Sequence, residues 1–252
     1  METLRLEEMN WKDIQEAIDQ GYKTVVIGIG SIEQHGPHLP TSTDSLIGDA
    51  IANKVTANLK NALQAPTIRI GCSSHHLSFP GTISYKESTL KAIIQDYVKS
   101  LALHGFTNIV LLPSHGGNFK PILEVIDEIK KGNSDFKLVG YTDLFGLLDV
   151  LHNFSNEFGI TKEESGVHAG ESETSFILAL AENLVKKERF EPGYMGVVGE
   201  EQSQLIFEKG MTALTKNGIL GDPTNATSEK GEIYLQKIVQ FLVDEIKKEL
   251  GN

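Results

Sequence analysis

The stretch TVVIGIG (24–30), followed by SIEQHGPHLPTSTD (31–44), decides the fold that we expect for this chain. Its first half is a nearly continuous run of apolar and β-branched residues, which is typical of a strand buried on both faces of a parallel sheet. Its second half is a polar loop that contains glycine and proline. Three similar runs follow: PTIRIG (66–71), NIVLLPS (108–114) and FKLVGY (136–141).

Helical patterns alternate with these predicted strands. Asn10 is a suitable N-cap for the first helix, and Pro121 lies in the first turn of the fourth. The predicted helices cover 10–20, 45–60, 87–104 and 119–131, and a long final helix carries Leu235, Ile238, Val239, Leu242 and Ile246 on one face. The alternation argues for an α/β layered domain with right-handed crossovers. Because the chain shows no linker, we expect residues 1–252 to form one domain.

The composition excludes several classes of protein. Hydrophobic residues make up 40% and charged residues 23% of the 252 residues, as in ordinary soluble globular proteins. The net charge of -11 argues against a nucleic-acid or acidic-membrane partner. The single cysteine, Cys72, excludes a disulfide framework and a cysteine-based zinc site. No apolar run approaches the ~18 residues of a membrane span, and the start lacks a signal-peptide core, so we expect a cytoplasmic protein.

Histidines cluster where the predicted strands end. His35, His75, His76 and His115 follow strands directly, and His38 lies slightly further on. Ligands of open α/β sheets bind beyond the carboxyl ends of the strands, so this distribution indicates a site rather than packing.

Two acids accompany the first of these histidines. Glu33 and His35 share one face if the chain is still extended there, and Asp44 follows just before a helix, where it is otherwise a plausible N-cap. Oxygen and imidazole donors without thiolate suit Zn²⁺, Mn²⁺ or Fe²⁺. Because one aspartate can bridge two ions, the donor set also suits a two-metal hydrolytic site.

Two more segments carry candidate residues. In GVHAGESETSF (166–176), His168 and Glu171 are three apart and can share a face of a turn, whereas Glu171 and Glu173 diverge on a regular helix, so only one of them is expected to reach a metal. A purely structural interpretation of these acids is that they stabilise the N-terminus of a helix. In SHGGNF (114–119), two glycines permit close backbone approach to a ligand, and Asn118 is a candidate cap for the following helix, whose N–H groups suit an oxyanion.

Other templates fit less well. The G-x-G of Gly28 and Gly30 is not completed, because Glu33 stands where a dinucleotide-binding loop needs its third glycine. Cys72 beside His75 and His76 could act as a nucleophile with a base, but a lone cysteine at a strand end is more often buried packing.

On these residues the sequence resembles the creatininase (creatinine amidohydrolase) family. The matching pieces occur in family order: GSIEQHGPHLPTSTD (30–44), SSHHLSFPGTIS (73–84), LLPSHGGNF (111–119), HAGESETS (168–175) and GILGDPTNATSEKG (218–231). The resemblance implies a three-layer α/β/α fold with a mainly parallel central sheet. It also implies two divalent metal ions per subunit (Zn, Mn or Fe), a homo-oligomer that is often a hexamer, and hydrolysis of C–N bonds by a metal-bound hydroxide.

The resemblance also implies roles for individual residues. Glu33 and His35 would bind one metal each, Asp44 would bridge them, and His115 would complete the coordination of the first metal. Creatinine-hydrolysing members have a glutamate ligand where this chain has Gly117. We expect Glu171 to replace that ligand, with Glu173 as the alternative. If Glu171 is the ligand, Glu173 is expected to act with His168 as a catalytic residue. His168 matches the proton-transfer histidine of the family, and the residues expected at the substrate are His76, Gly116, Gly117 and Asn118.

The implied substrate is a small cyclic or linear amide, namely creatinine or a related amide or formamide, with a C–N bond other than a peptide bond. Creatinine-hydrolysing members use tryptophans to close over the planar ring, and the only tryptophan here, Trp11, lies outside every motif. This departure disfavours creatinine itself. Two alternatives stay open: a sugar- or inositol-pathway hydrolase or isomerase that uses the same ions, and a non-catalytic metal-binding assembly protein.

Overall fold

A four-stranded parallel sheet forms the centre of the molecule. The computed structural model describes residues 3–132 and 135–251. Within them the strands are β1 (Thr24–Ile29), β2 (Ala62–Ile68), β3 (Asn108–Pro113) and β4 (Lys137–Gly140). Their order across the sheet is β2-β1-β3-β4, and all three pairings are parallel. The carboxyl ends of the two central strands, β1 and β3, therefore meet at one edge of the sheet.

Helices cover both faces of this sheet and make the fold a three-layer α/β/α structure, as expected from the sequence. They are α1 (Trp11–Asp19), α2 (Thr43–Asn58), α3 (Glu87–Leu103), α4 (Phe119–Lys131), α5 (Leu144–Asn156), α6 (Lys162–Ser165), α7 (Glu171–Ala181), α8 (Glu200–Lys209) and α9 (Ser228–Leu250). One hydrophobic core packs α2, α7 and α9 against the sheet, and the other packs α1, α3 and α4 against its opposite face.

Most predicted element positions are confirmed, and a side-chain cap begins α1 as expected. The Asn10 side chain accepts hydrogen bonds from the backbone N–H groups of Lys12 and Asp13 and so begins α1. Helix α4 has the predicted bounds, and α9 buries the predicted apolar face. The second strand lies earlier than predicted, at Ala62–Ile68 rather than 66–71. Pro66 lies inside it because β2 is an edge strand, where a missing N–H costs no pairing on the outer side.

The start of α2 lies very close to the end of β1. A Cβ on Gly30 would lie 2.6 Å from the Cα of Ser45, so only glycine permits this approach. The Ser45 hydroxyl lies 2.8 Å from the backbone oxygens of both Ser31 and Arg69 and shares its one proton between them, which ties the helix to the ends of β1 and β2. This contact holds Asp44, in the first turn of α2, over the carboxyl edge of the sheet.

In the part of the chain that the structure describes, no helix is both long enough and apolar enough to pass through a lipid bilayer.

Candidate metal centre

Five buried or nearly buried side chains meet at the carboxyl edge of the sheet, and we call them the acid–histidine cluster. Glu33 and His35 lie on the extended segment after β1, Asp44 is on α2, His115 follows β3, and Glu173 is in the first turn of α7. The loops after two neighbouring strands and the N-termini of two helices thus converge on one point. The sequence predicted this convergence for the first four residues, and named Glu173 as the alternative fifth.

Asp44 stands between the two histidines of the cluster. Its Oδ1 lies 3.3 Å from His35 Nε2, and its Oδ2 lies 3.4 Å from His115 Nδ1. Glu33 Oε2 lies 3.2 Å from the same nitrogen of His115, and Glu173 Oε2 lies 3.8 Å from His35 Nε2. The carboxylate of Asp44 therefore directs one oxygen to a Glu33–His115 pair and the other to a His35–Glu173 pair.

Backbone carbonyls fix which nitrogen of each histidine faces the cluster. His35 Nδ1 donates to the backbone oxygen of Glu33 at 3.1 Å, which leaves Nε2 without its proton and facing Asp44 when the ring is neutral. His115 Nε2 donates to the backbone oxygen of Cys72 at 3.1 Å, which leaves Nδ1 facing the carboxylates. A donor on the far side of the ring is the usual arrangement for histidines that bind metals.

The residues present fit a divalent cation. Within residues 3–132 and 135–251, Glu33 Oε1, His35 Nε2 and Asp44 Oδ2 are buried polar atoms without a hydrogen-bond partner. Buried polar atoms are normally paired, so three such atoms in one cluster indicate that a further group satisfies them. Candidate ligand atoms within 4.8 Å of one another come from Glu33, His35 and Asp44, and also from His35, His168 and Glu173.

The pKa values of the cluster show how strongly its charges interact in the metal-free chain. Burial works to raise the pKa of Asp44, but His35 and His115 lower it to about 2. Burial works to lower the pKa of His35, but Asp44, Glu173 and Glu33 raise it to about 10. Protons on the histidines thus compensate the buried carboxylates, and a cation that binds the imidazole nitrogens has to displace those protons.

The structure separates the two glutamates of α7. Glu171 lies outside the cluster, where its carboxylate accepts hydrogen bonds from Ser175 Oγ at 3.0 Å, Lys230 Nζ at 3.2 Å and Tyr234 OH at 3.3 Å. Glu173 faces the cluster instead and accepts from the backbone N–H of Ala169 at 2.5 Å. The predicted divergence of the two side chains is observed. Of the two, Glu173, the alternative ligand, lies beside His35, whereas Glu171, the preferred one, lies away from the cluster.

Gly117 has no room for a ligand side chain. A Cβ at this position would lie 2.1 Å from the backbone oxygen of Cys72 and 2.7 Å from His115 Nε2. The same carbonyl orients His115, so the space that a glutamate would need is taken by the hydrogen bond that holds the histidine. Gly116 lines the cavity that reaches the cluster, and the substrate contact expected of it stays a prediction.

Asn118 has a different position from the one expected. Its side chain is fully buried and makes no cap hydrogen bond to α4. Oδ1 accepts from the backbone N–H of Cys72, and Nδ2 donates to the backbone oxygens of Ile29 and Gly30. The side chain joins the ends of two neighbouring strands, and the substrate contact predicted for Asn118 is not supported by this placement.

His168 and His76 lie beside Glu33, above the cluster. His168 Nδ1 is 3.7 Å and His76 Nε2 is 3.3 Å from Glu33 Oε1. His168 precedes α7 and forms an isolated bridge with Leu220. The prediction that it shares a face of a turn with Glu171 is therefore wrong. Its Nε2 donates to the backbone oxygen of Gln34 at 2.8 Å, which fixes the ring with Nδ1 toward Glu33.

Sequence reasoning missed Gln34 and the pair Ser31 and Ser73. Gln34 Nε2 donates to His76 Nδ1 at 3.0 Å and to the backbone oxygen of Gly218, and so orients a histidine beside Glu33. The Ser31 hydroxyl donates to Glu33 Oε2 and also contacts Ser73 Oγ. The alternation of side chains along an extended segment could have indicated a separate role for Gln34. It lies between Glu33 and His35, so its side chain leaves the backbone on the opposite side from theirs.

Two remaining candidates lie outside the cluster. The Cys72 thiol is buried and its pKa is raised to about 11 by that burial, which disfavours the thiolate that a nucleophile requires. His38 Nε2 hydrogen-bonds Thr174 Oγ1 at 2.9 Å, and the ring packs edge-on against Phe190. Cys72 therefore belongs to the hydrophobic core, and His38 packs against α7 and Phe190.

Comparison with known proteins gives a consistent result. The creatininase family model, described as creatinine amidohydrolase, matches residues 7–246. The chain is 29% identical over 229 residues to a mycofactocin precursor peptide peptidase of Mycolicibacterium smegmatis, across 89% of this chain and 84% of that protein. It is 30% identical to a creatinine amidohydrolase of Pseudomonas putida, across 96% of this chain and 95% of that protein.

Solved structures show the same fold. A structure named "Creatininase Mn" superposes with a TM-score of 0.80 at 29% identity and covers 98% of this chain and 99% of that chain. The relatives named above include both a peptide peptidase and an amidohydrolase.

Proposed function

This chain belongs to the creatininase family, whose members are hydrolases, and on that premise we propose that it cleaves a C–N bond of an amide at a two-metal centre. The observation that carries the proposal is the division of Asp44 between two histidines, with Oδ1 toward His35 and Oδ2 toward His115. A carboxylate with one oxygen in each half of a cluster is suited to bridging two cations.

The proposed ligand set uses all five members of the acid–histidine cluster. Glu33, His115 and one oxygen of Asp44 would hold one cation, and His35, Glu173 and the other oxygen would hold the second. Nitrogen and carboxylate donors suit Zn²⁺, Mn²⁺ or Fe²⁺. A metal pair of this kind supplies Lewis acidity, which lowers the pKa of water and polarises a carbonyl oxygen.

His168 is the proposed proton carrier. Its pKa lies well below the ordinary value because the ring is buried and close to His35, so at neutral pH the ring is a neutral acceptor. The hydrogen bond from Nε2 to the Gln34 carbonyl leaves the lone pair of Nδ1 toward Glu33. We propose that Nδ1 takes a proton from the attacking water and delivers it to the leaving nitrogen.

The cavity supports an enzyme over an assembly protein. It reaches Glu33, His115, His168 and Glu173 from outside the sheet, which gives a small molecule access to the cluster. A metal that only stabilises assembly is better served by a closed site. An isomerase would use the same donors, and the reaction products distinguish it from a hydrolase.

The test is chelation and reloading of the purified chain. We expect stripping to abolish hydrolysis, and Zn²⁺, Mn²⁺ or Fe²⁺ to restore it with about two ions per subunit by elemental analysis. Released amine, ammonia or formate is measured over a panel of formamides, cyclic amides and short peptides, so that the peptide and non-peptide subclasses are both sampled. Full activity in the metal-free chain, or turnover without new amine or acid, would contradict the proposal.

A further inference from the structure

Helix α5 carries apolar side chains around most of its circumference, whereas a surface helix normally has a single apolar face. Its sequence, LFGLLDVLHNFSN, contains seven large apolar residues, and Ser155 is its only buried residue. A helix that is hydrophobic nearly all round is normally enclosed by protein. The leucines of α5 are instead half-buried: Leu147 and Leu151 pack partly against the core, and part of each side chain stays open to another group.

These leucines form one wall of a cavity that is continuous with the acid–histidine cluster. The cavity has a volume of about 170 Å³, and Glu33, His115 and Glu173 line its inner end. Leu144, Leu147, Leu148 and Leu151 of α5 line one side. Leu144 lies beside Gly116, the residue that follows His115, because a Cβ placed on Gly116 would lie 3.8 Å from its Cδ2.

Helix α8 and the turn that follows it form another wall. Ile206 and Phe207 of α8 line the cavity, as does Met211 of the turn Met211–Ala213. The Phe207 side chain is 53% exposed, and its ring meets the ring of His75 edge-on with centroids 4.7 Å apart. An exposed aromatic ring at the mouth of an apolar cavity is well placed to cover a bound group.

We infer that the substrate carries an uncharged apolar group about the size of a phenyl ring, which enters the cavity between α5 and α8 while its amide lies at the cluster. This inference rests on the proposed function, since it takes the cluster as the reaction centre. The size follows from the volume, because a protein cavity of about 150 Å³ lined by apolar side chains accepts benzene. The inferred class of substrate is therefore an amide or short peptide with a bulky hydrocarbon side chain. A small polar ring such as creatinine would leave this cavity unfilled.

The experiment compares two hydroxamates, a class that chelates divalent metals, on the zinc-loaded chain by titration calorimetry. Acetohydroxamate reports the metal centre alone, and 3-phenylpropanohydroxamate adds the phenyl group. We expect the phenyl compound to bind about 30-fold more tightly, which corresponds to ~2 kcal/mol at 1.4 kcal/mol for each tenfold. Phe207→Ala should reduce this ratio to below about 10-fold, and Leu103→Ala, at a remote position that is 84% exposed, should leave it unchanged.

The failures of the two ideas are distinguishable. If acetohydroxamate binds and the phenyl group adds nothing, the apolar cavity is not the substrate site, although the metal centre stands. If neither compound binds to the zinc-loaded chain, the metal centre fails instead. The cavity is then tested on the metal-free chain, where benzene should shift the methyl NMR signals of Leu147, Leu151 and Ile206. Unshifted methyl signals would overturn the inference, as would coverage of α5 by a second copy of the chain.

Discussion

Replacing Glu173 by glutamine is expected to weaken metal binding, whereas the same change at Glu171, two residues earlier on α7, is expected to leave it intact. Glutamine at position 173 still accepts from the backbone N–H of Ala169 but loses the charge that faces His35. Loss of a residue that only orients a ligand typically weakens metal affinity by about 10- to 100-fold. Loss of a ligand should exceed this, so we expect at least about 100-fold for Glu173→Gln.

The two variants should also differ in the stability of the metal-free chain. Burial raises the pKa of Glu173 from the ordinary 4.5 to about 7, so the folded chain holds this proton more tightly than the unfolded chain. The free energy of unfolding therefore falls as the pH rises from about 4.5 to 7. The displacement of the pKa corresponds to about 3 kcal/mol, which we reduce to about 2 kcal/mol because 21% of the side chain is exposed. At pH 7.5, Glu173→Gln should thus raise the Tm of the metal-free chain by about 5 °C.

Glu171→Gln should act in the opposite direction. The Glu171 carboxylate is fully buried and lies 3.2 Å from Lys230 Nζ, so its neutralisation leaves a largely buried ammonium group without its counter-charge. Breaking a pair of this kind by removing one charge costs about 3 kcal/mol. Glu171→Gln should therefore lower the Tm while the chain keeps its metal.

The assay combines elemental analysis with thermal unfolding of the metal-free and zinc-loaded forms of both variants. In the expected result, Glu173→Gln is more stable than the wild type without metal and gains less stability from zinc. If Glu173→Gln keeps two tightly bound ions while Glu171→Gln loses one, the assignment of the fifth ligand is wrong. A metal-free Glu173→Gln that is less stable than the wild type would refute the reasoning about the cost of burying this carboxyl group.

Three further outcomes are expected. Asp44→Asn should lose both metals, with well under one ion per subunit by elemental analysis, whereas Asp127→Asn on the exposed face of α4 should retain them; two retained ions in the first variant would exclude the bridging role. His168→Gln should keep both metals and lower kcat by about 10²- to 10⁴-fold, and unchanged turnover would eliminate the proton carrier. Burial lowers the pKa of His38 from 6.5 to about 4, so the unfolded chain binds more protons and the free energy of unfolding falls by about 3 kcal/mol as the pH drops from 6.5 to 4. Denaturant titrations of the metal-free chain at these two pH values should show that the free energy of unfolding falls by about 3 kcal/mol less in His38→Gln than in the wild type. An equal fall in the two proteins would contradict the buried neutral ring.

The buried acids of the cluster illustrate a conflict between stability and function. Glu173 destabilises the metal-free chain at neutral pH. Burial works to raise the pKa of Glu33 and Asp44 as well, but His115 and His76 lower it at Glu33, and His35 and His115 lower it at Asp44. A divalent cation replaces the protons on His35 and His115 and satisfies the unpaired atoms. Because a ligand that binds the folded chain stabilises it, metal loading and folding should be coupled in this protein.

Local sequence features were sufficient to predict the layered α/β fold and most of the cluster. The apolar run at 24–30 and its three counterparts predict parallel strands, and parallel strands place their carboxyl ends at one edge. Glu33, His35, Asp44 and His115 could be grouped for this reason alone, because each one follows a strand or begins the helix after it. The resemblance in ordered motifs added the expected roles of these residues.

Tertiary structure decided the features that depend on which way a side chain points. Glu171 and Glu173 both lie in the first turn of α7 and point in different directions, and the packing of α7 against α9 decides that Glu171 faces Lys230 and Glu173 faces His35. Asn118 likewise matches a helix cap in sequence, yet its amide joins two strand ends. A sequence records the order of donors along the chain, whereas their coordination depends on angles and distances that packing across distant segments sets.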